Sequence, residues 1–223
     1  MELTFAATGQ VVTLSDELTA LAQACQTTML DANELLHIAA ALVSYPWEKG
    51  GFVVEIGAYL GTTTVFMAKV LETLNSPATI LSIDPFELFR PDPLNPQGIY
   101  ASYLHAIRSH RVDHRCAVLP AFSSDVAALI ADDVAVLVID GDHHYPTVSK
   151  DLLLYCPKVR EGGYVFLDDY GPSYPDVVRA IDEYFTGDSE FTVHARDYFI
   201  LAQCSARAKP KTPRKTGRSV PRK

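Results

Sequence analysis

Carboxylates mark the ends of the apolar runs in this chain, and their spacing is its first chemical signal. Asp140 follows Val134–Ile139, Asp168 and Asp169 follow Tyr164–Leu167, Asp84 follows Thr79–Ile83, and Glu55 lies within Phe52–Ile56. If the runs ending at Asp140 and Asp168 are neighbouring strands, about 4.8 Å apart, then Asp140, Asp168 and Asp169 converge on one edge. Two unit charges ~4 Å apart repel by about 4 kcal/mol at an effective dielectric near ~20. Acids so placed take up protons or bind a cation. An all-oxygen donor set without Cys or His suits a hard ion, Mg²⁺ before Mn²⁺ or Ca²⁺. The alternative is that one acid caps a helix and the others are solvated. A divalent ion on a hydroxyl lowers its pKa. His143, three residues beyond Asp140, is an imidazole, the side-chain type suited to proton transfer around neutral pH, and is a candidate to collect the proton. His144 and Tyr145 fit packing or pocket-shaping roles.

A second signal is Glu55-Ile56-Gly57-Ala58-Tyr59-Leu60-Gly61-Thr62-Thr63. Gly57 permits close backbone approach, and Gly61 opens a helix N-terminus. This GxxxG spacing is not the GxGxxG fingerprint that seats a pyrophosphate. Asp84 is placed to accept both ribose hydroxyl hydrogens; read otherwise, it is a turn-forming Asp-Pro. A nucleoside without phosphate, beside acidic Glu55, points to a cationic sulfonium, S-adenosylmethionine, and away from NAD.

Alternating elements must carry these residues. Phe52–Ile56, Thr79–Ile83, Cys116–Leu119, Val134–Ile139 and Tyr164–Leu167 read as strands. The Val134–Ile139 run, without polar alternation, is expected of a parallel strand buried on both faces. Thr62–Leu74, Tyr100–Ser109, Ser123–Ile130 and Tyr174–Phe185 read as helices, as does a segment from Pro146 to about Val159 ended by Gly162-Gly163. An earlier helix starts at Asp31, with Glu34 completing a capping box, and stops at Pro46. Residues 1–30 are weakly patterned. Phe86–Gly98, rich in Pro and aromatics, reads as a loop or lid. Phe191–Ala195 and Tyr198–Ala202 read as a closing hairpin. The expected fold is α/β, a mostly parallel seven-stranded sheet with a C-terminal antiparallel hairpin. Its ligands belong beyond the carboxyl ends of the strands, where these acids stand.

Composition bounds the rest. Of 19 basic and 27 acidic residues, eight basic and no acidic ones lie in 206–223, so residues 1–205 carry 11 basic and 27 acidic groups, a net of −16. The basic, aromatic-free tail is expected to be disordered. It could touch RNA or anionic lipid, but it has nothing to read or stack on bases, so nucleic acid is not the expected partner. Four scattered cysteines read as reduced thiols. With no membrane-spanning run or signal-like start, the expectation is a cytoplasmic protein with no membrane partner. The expected organisation is a helical extension over 1–48, a catalytic domain over 49–205 and a tail over 206–223.

These motifs resemble a known family. VVEIGAYLGTTTVFMAKVL followed by ILSIDPFE is similar to the glycine and second-strand acidic motifs of class I methyltransferases. VIDGDHHYPTVSKDLLLYCPKVREGGYVFLDDY resembles the macrocin O-methyltransferase-like group, metal-dependent enzymes acting on sugars and natural products. The resemblance implies a Rossmann-like fold, S-adenosylmethionine, Mg²⁺ and a small-molecule hydroxyl acceptor. It places Glu55, Gly57, Ala58, Gly61, Thr62, Asp84 and Asp140 at the cofactor. Phe122 and Ser123 flank the adenine, although Ala121 stands where a glycine is usual. It assigns Asp140, Asp168 and Asp169 to metal and favours Asp142 as the base; His143 takes the place of a lysine in catechol-type enzymes. It also suggests self-association through the N-terminal helix. A catechol- or caffeoyl-type enzyme shares these features but usually carries Asn where Asp169 stands. A methyltransferase-like binding protein acting through its tail, or a dehydrogenase, would instead ignore chelation or bind NADH.

Overall fold

A computed structural model of the chain describes residues 1–86, 98–186 and 190–205. Most of the expected lid and the whole basic tail therefore lie outside the described residues. The chain opens with a hairpin, β1 (Glu2–Thr4) and β2 (Val11–Thr13), then α1 (Asp16–Cys25) and α2 (Ala32–Ser44). Strands of three residues are too short to reveal alternation in residues 2–13, while α1, capped by Ser15, is a helix that the reading of residues 1–30 as weakly patterned missed. The capping box at α2 forms as expected: Glu34 N–H donates to Asp31 at 2.9 Å, and Asp31 N–H donates to Glu34 Oε2 at 2.5 Å.

The alternation follows: β3 (Phe52–Ile56), α3 (Thr62–Thr73), β4 (Ile80–Ile83), α4 (Ile99–Ser109), β5 (Cys116–Leu119), α5 (Ser123–Val126), β6 (Val134–Ile139), α6 (Tyr145–Tyr155), β7 (Val159–Leu167), α7 (Pro175–Phe185), and the hairpin β8 (Phe191–Arg196) with β9 (Ile200–Cys204). The seven-stranded sheet has order β5-β4-β3-β6-β7-β9-β8. Pairs among the first five strands are parallel, and β9 runs antiparallel to both β7 and β8. This is the α/β architecture expected from the sequence.

Two readings are corrected. The α6 helix ends at Tyr155 and gives way to a 3₁₀ turn at Cys156–Lys158, and β7 starts at Val159, running through Gly162-Gly163 rather than after them. The glycines accommodate a register break: Val134 pairs with Val159, but Val136 pairs with Tyr164. A Cβ at Gly163 would sit 2.7 Å from the Ala135 carbonyl oxygen. Likewise α5 is a single turn followed by a 3₁₀ turn at Ala127–Leu129, not a helix to Ile130.

Alternate residues of the central strands feed two cores. Val53, Val136, Val138 and Phe166 pack beneath α1–α4, and Val54, Leu137, Ile139 and Val165 pack against α6 and α7. Phe5, Leu14, Leu18 and Ala22 are buried in the first core, so the N-terminal extension shares the interior of the sheet domain. All six residues of β6 are buried. Strand order reverses between β3 and β6, and the carboxyl ends flanking such a switch point form the ligand crevice of open α/β sheets. Among the described residues no helix is long and apolar enough to cross a membrane.

Candidate functional site

At the carboxyl edge the strand ends are stitched by backbone. Gly57 N–H donates to Ile83 O, Asp140 N–H to Ile56 O, and Asp168 N–H to Ile139 O, all within 2.9–3.0 Å. Gly57 and the acids Asp140 and Asp168 are thereby brought onto one rim.

Gly57 has φ +87°, and a Cβ there would fall 1.7 Å from the Asp140 carbonyl oxygen. The glycine is demanded by the neighbouring strand end rather than by a ligand. Ala58 beside it is buried. Gly61, at φ +85°, lies under the ring of Tyr103. It caps α3 without a side-chain hydrogen bond, which leaves the amides from Thr62 onward open to a ligand carboxylate. Asp84 accepts from Tyr59 N–H at 2.8 Å and from Phe86 N–H at 2.5 Å. It therefore ties the glycine turn to the end of β4, and each oxygen keeps one lone pair for a further donor.

Two predicted cofactor residues face elsewhere in this structure. Glu55 is fully buried on the sheet face under α3, accepting from Thr64 at 2.5 Å and Ser82 at 2.6 Å. Burial pushes its carboxyl up to about 7 against the lowering effect of those hydroxyls. Among the described residues its Oε1 and the buried Tyr103 hydroxyl have no hydrogen-bond partner. Ser123 donates to Asp151 at 2.5 Å, which points its hydroxyl at α6, while Phe122 leaves about half its surface exposed at the end of β5.

The acid rim is dominated by side chains. Desolvation, then Asp169 and more distant acids, push Asp140 up to about 7; desolvation, then Asp140 and Glu34, push Asp168 up to about 9. Asp168 Oδ1 accepts from the backbone N–H of Asp169 at 2.9 Å. Asp169 adopts φ +59° and holds His143 Nε2 at 2.6 Å, and the His143 ring stacks on Tyr174 with centroids 4.4 Å apart. Asp142 turns instead to His144 Nδ1 at 2.6 Å and to the backbone N–H of His143 at 2.8 Å. Burial pushes the Asp142 carboxyl up, but hydrogen bonds from Thr147, His144 and His143 outweigh it and hold the group below its ordinary value. A small cleft between α6 and α7 is walled by Asp140, His143, Asp168 and Asp169.

Glu34 is the residue that sequence reasoning missed. It hydrogen-bonds Asp168 and stands near Asp169, so a fourth carboxyl reaches the rim from the N-terminal extension. Its spacing from Asp31 already explained it as a cap, and no local pattern announces a contact across 134 residues.

The donor set fits a hard divalent cation in its chemistry: carboxylates only, crowded together and raised by each other's charge. As they stand, Asp168 is turned to a backbone amide and Asp169 to His143, and among the described residues no three ligand side chains form a ready metal-holding group.

Residues 54–170, half of the chain, match the family described as Methyltransferase domain. The chain belongs to the methyltransferase domain family. An uncharacterized protein of Acanthamoeba polyphaga mimivirus is 28% identical over 122 residues, 52% of this chain and 50% of that protein, so the match spans half of each. Solved structures share the fold. The O-methyltransferase TomG from Streptomyces achromogenes, involved in tomaymycin synthesis and solved with SAM, is 18% identical over 87% of this chain and 92% of its own, with a TM-score of 0.57. CalS11, a TDP-rhamnose 3'-O-methyltransferase of calicheamicin biosynthesis, is 17% identical over 86% and 96%, with a TM-score of 0.59.

Proposed function

We propose that this protein transfers the methyl group of S-adenosylmethionine to a hydroxyl of a small cyclic molecule, a sugar or natural product, at the rim between β6 and β7. The observation that carries the reading is the meeting of the His143–Asp169 pair with Asp140 and Asp168 beside the glycine turn. TomG and CalS11, which share the fold, are O-methyltransferases by description, one solved with SAM and one acting on a sugar nucleotide.

Asp84 and Phe122 would hold the cofactor's nucleoside, and the Gly57–Thr62 turn its amino-acid end. Asp140, Asp168 and Asp169 would hold Mg²⁺, which when bound lowers the pKa of a hydroxyl it contacts. His143 receives the proton that the hydroxyl loses. With Nε2 engaged by Asp169, the neutral ring carries its free lone pair on Nδ1. The Tyr174 stack and the Asp169 contact restrict the ring to one orientation. Asp142, favoured as base by resemblance, is tied by its hydrogen bonds to shaping the β6–α6 turn. Alignment of oxygen, methyl carbon and sulfur supplies much of the remaining rate.

The test is calorimetric titration with S-adenosylmethionine, followed by product assay with added Mg²⁺ or EDTA. Cofactor binding in both conditions with methyl transfer only in the first supports the reading; transfer undiminished by EDTA removes the metal, and no cofactor binding removes the whole. His143→Gln is expected to lower kcat by about 100-fold with cofactor affinity unchanged.

A further inference from the structure

Tyr198 lies in the turn between β8 and β9, at the same end of the sheet as the acid rim because Ile200 pairs with Leu167. Tyr198 is 64% exposed, and the backbone around it is built to hold it there. A Cβ on Gly171 would meet the ring at 2.7 Å, so the β7–α7 loop carries glycine where the tyrosine leans on it. Tyr170 N–H donates to Tyr198 O at 2.6 Å, and Gly171 N–H donates to Asp169 O at 2.8 Å. The turn and the loop bearing Asp169 are therefore one unit. On its other side, Asp197 meets Asn33 of α2 at 3.4 Å.

A large ring held at one edge and left open over most of its surface is a preorganised contact face. Burial does not account for it, because most of the ring buries nothing. Tyr174, by contrast, spends one face on His143 and serves to position that side chain.

Building on the methyl-transfer reading, we propose that Tyr198 is the acceptor platform: its ring, seated on Gly171 in the loop that bears Asp169, stacks against the flat face of a six-membered hydroxylated ring. A pyranose offers such a face through its C–H bonds and a phenol through its π-system. Both leave a ring hydroxyl at the edge, free to reach the acid rim at the same end of the sheet.

The experiment uses the full chain saturated with S-adenosylhomocysteine, a step read first by calorimetry. Methyl α-glucopyranoside and catechol are then titrated separately by ligand-observed NMR against wild type, Tyr198→Phe and Tyr198→Ala. One ring is expected to bind wild type and Tyr198→Phe alike, and to bind Tyr198→Ala about tenfold more weakly. Cofactor-product affinity and melting temperature should match across all three. Which probe binds separates a sugar from a phenol. Equal binding to Tyr198→Ala, or binding of neither probe to an enzyme that takes S-adenosylhomocysteine, overturns the platform and leaves methyl transfer standing. Failure to bind S-adenosylhomocysteine removes methyl transfer and the platform together.

Discussion

The glycine turn after β3 and the acid rim after β6 lie side by side, yet they are held by opposite means. At the turn, backbone packing decides the structure: Gly57 is wedged against the Asp140 carbonyl, Asp84 ties two amides, and Glu55 is walled in by Thr64 and Ser82. At the rim, side-chain charge decides it: Asp140 and Asp168 are pushed up by desolvation and by acids, and Asp169 is drawn to an imidazole. One region is held by backbone packing and by side chains tied to neighbouring amides and hydroxyls, with Glu55 Oε1 left over. The other stores unfavourable like-charge contact, the usual signature of a place built to receive something else.

Substitution should separate the two, and the largest effect belongs to the turn. Gly57→Ala puts a methyl inside the Asp140 carbonyl and forces φ +87° on a residue with a Cβ. A loss of about 4 kcal/mol or more, or failure to fold, is expected in urea unfolding. A melting curve like wild type would show that the turn yields and is not a wedge.

Asp140→Asn tests the rim. It removes one of the crowded charges while keeping shape, so turnover should fall by about 1000-fold while folding stability holds or rises. Cofactor affinity, assigned to the turn in the proposal above, should change little. Full activity in this variant would end the mechanism proposed above.

Glu55→Gln gives the smallest effect and sharpens the contrast through pH. The Glu55 carboxyl titrates near 4.5 ordinarily and is pushed up to about 7 by burial. Between those values the folded state holds more protons than the unfolded one, so this group's contribution to stability declines as pH rises from about 4.5 through 7. The decline is on the order of 3 kcal/mol. The glutamine variant should lose that part of the slope, read as unfolding free energy at a series of pH values. An unchanged slope would mean that Glu55 is ionised in the folded protein.

Much of this was legible in advance. The strands Phe52–Ile56, Cys116–Leu119 and Val134–Ile139 were read to the residue, because each is a short apolar run with abrupt ends, whether central or, like Cys116–Leu119, at the sheet edge. The convergence of Asp140 and Asp168 rested on an expected strand order, and β6 and β7 do pair. Gly162-Gly163 misled, because paired glycines serve a bulge inside a strand as readily as a helix stop. The short hairpin at residues 2–13 and the one-turn α5 fell below the length at which periodicity is detectable.

The order of elements, the edge on which the acids stand and the glycine turn follow from local pattern, since hydrophobic period and strand-end position are properties of contiguous residues. Only the tertiary structure decided which partner each side chain takes. Glu55 turned inward to Thr64, Ser123 to Asp151, and Glu34 to Asp168, while His143 rather than Asp142 came to Asp169. Those choices depend on distances between residues remote in the chain, and the packing of α2, α6 and the hairpin onto one sheet edge sets them.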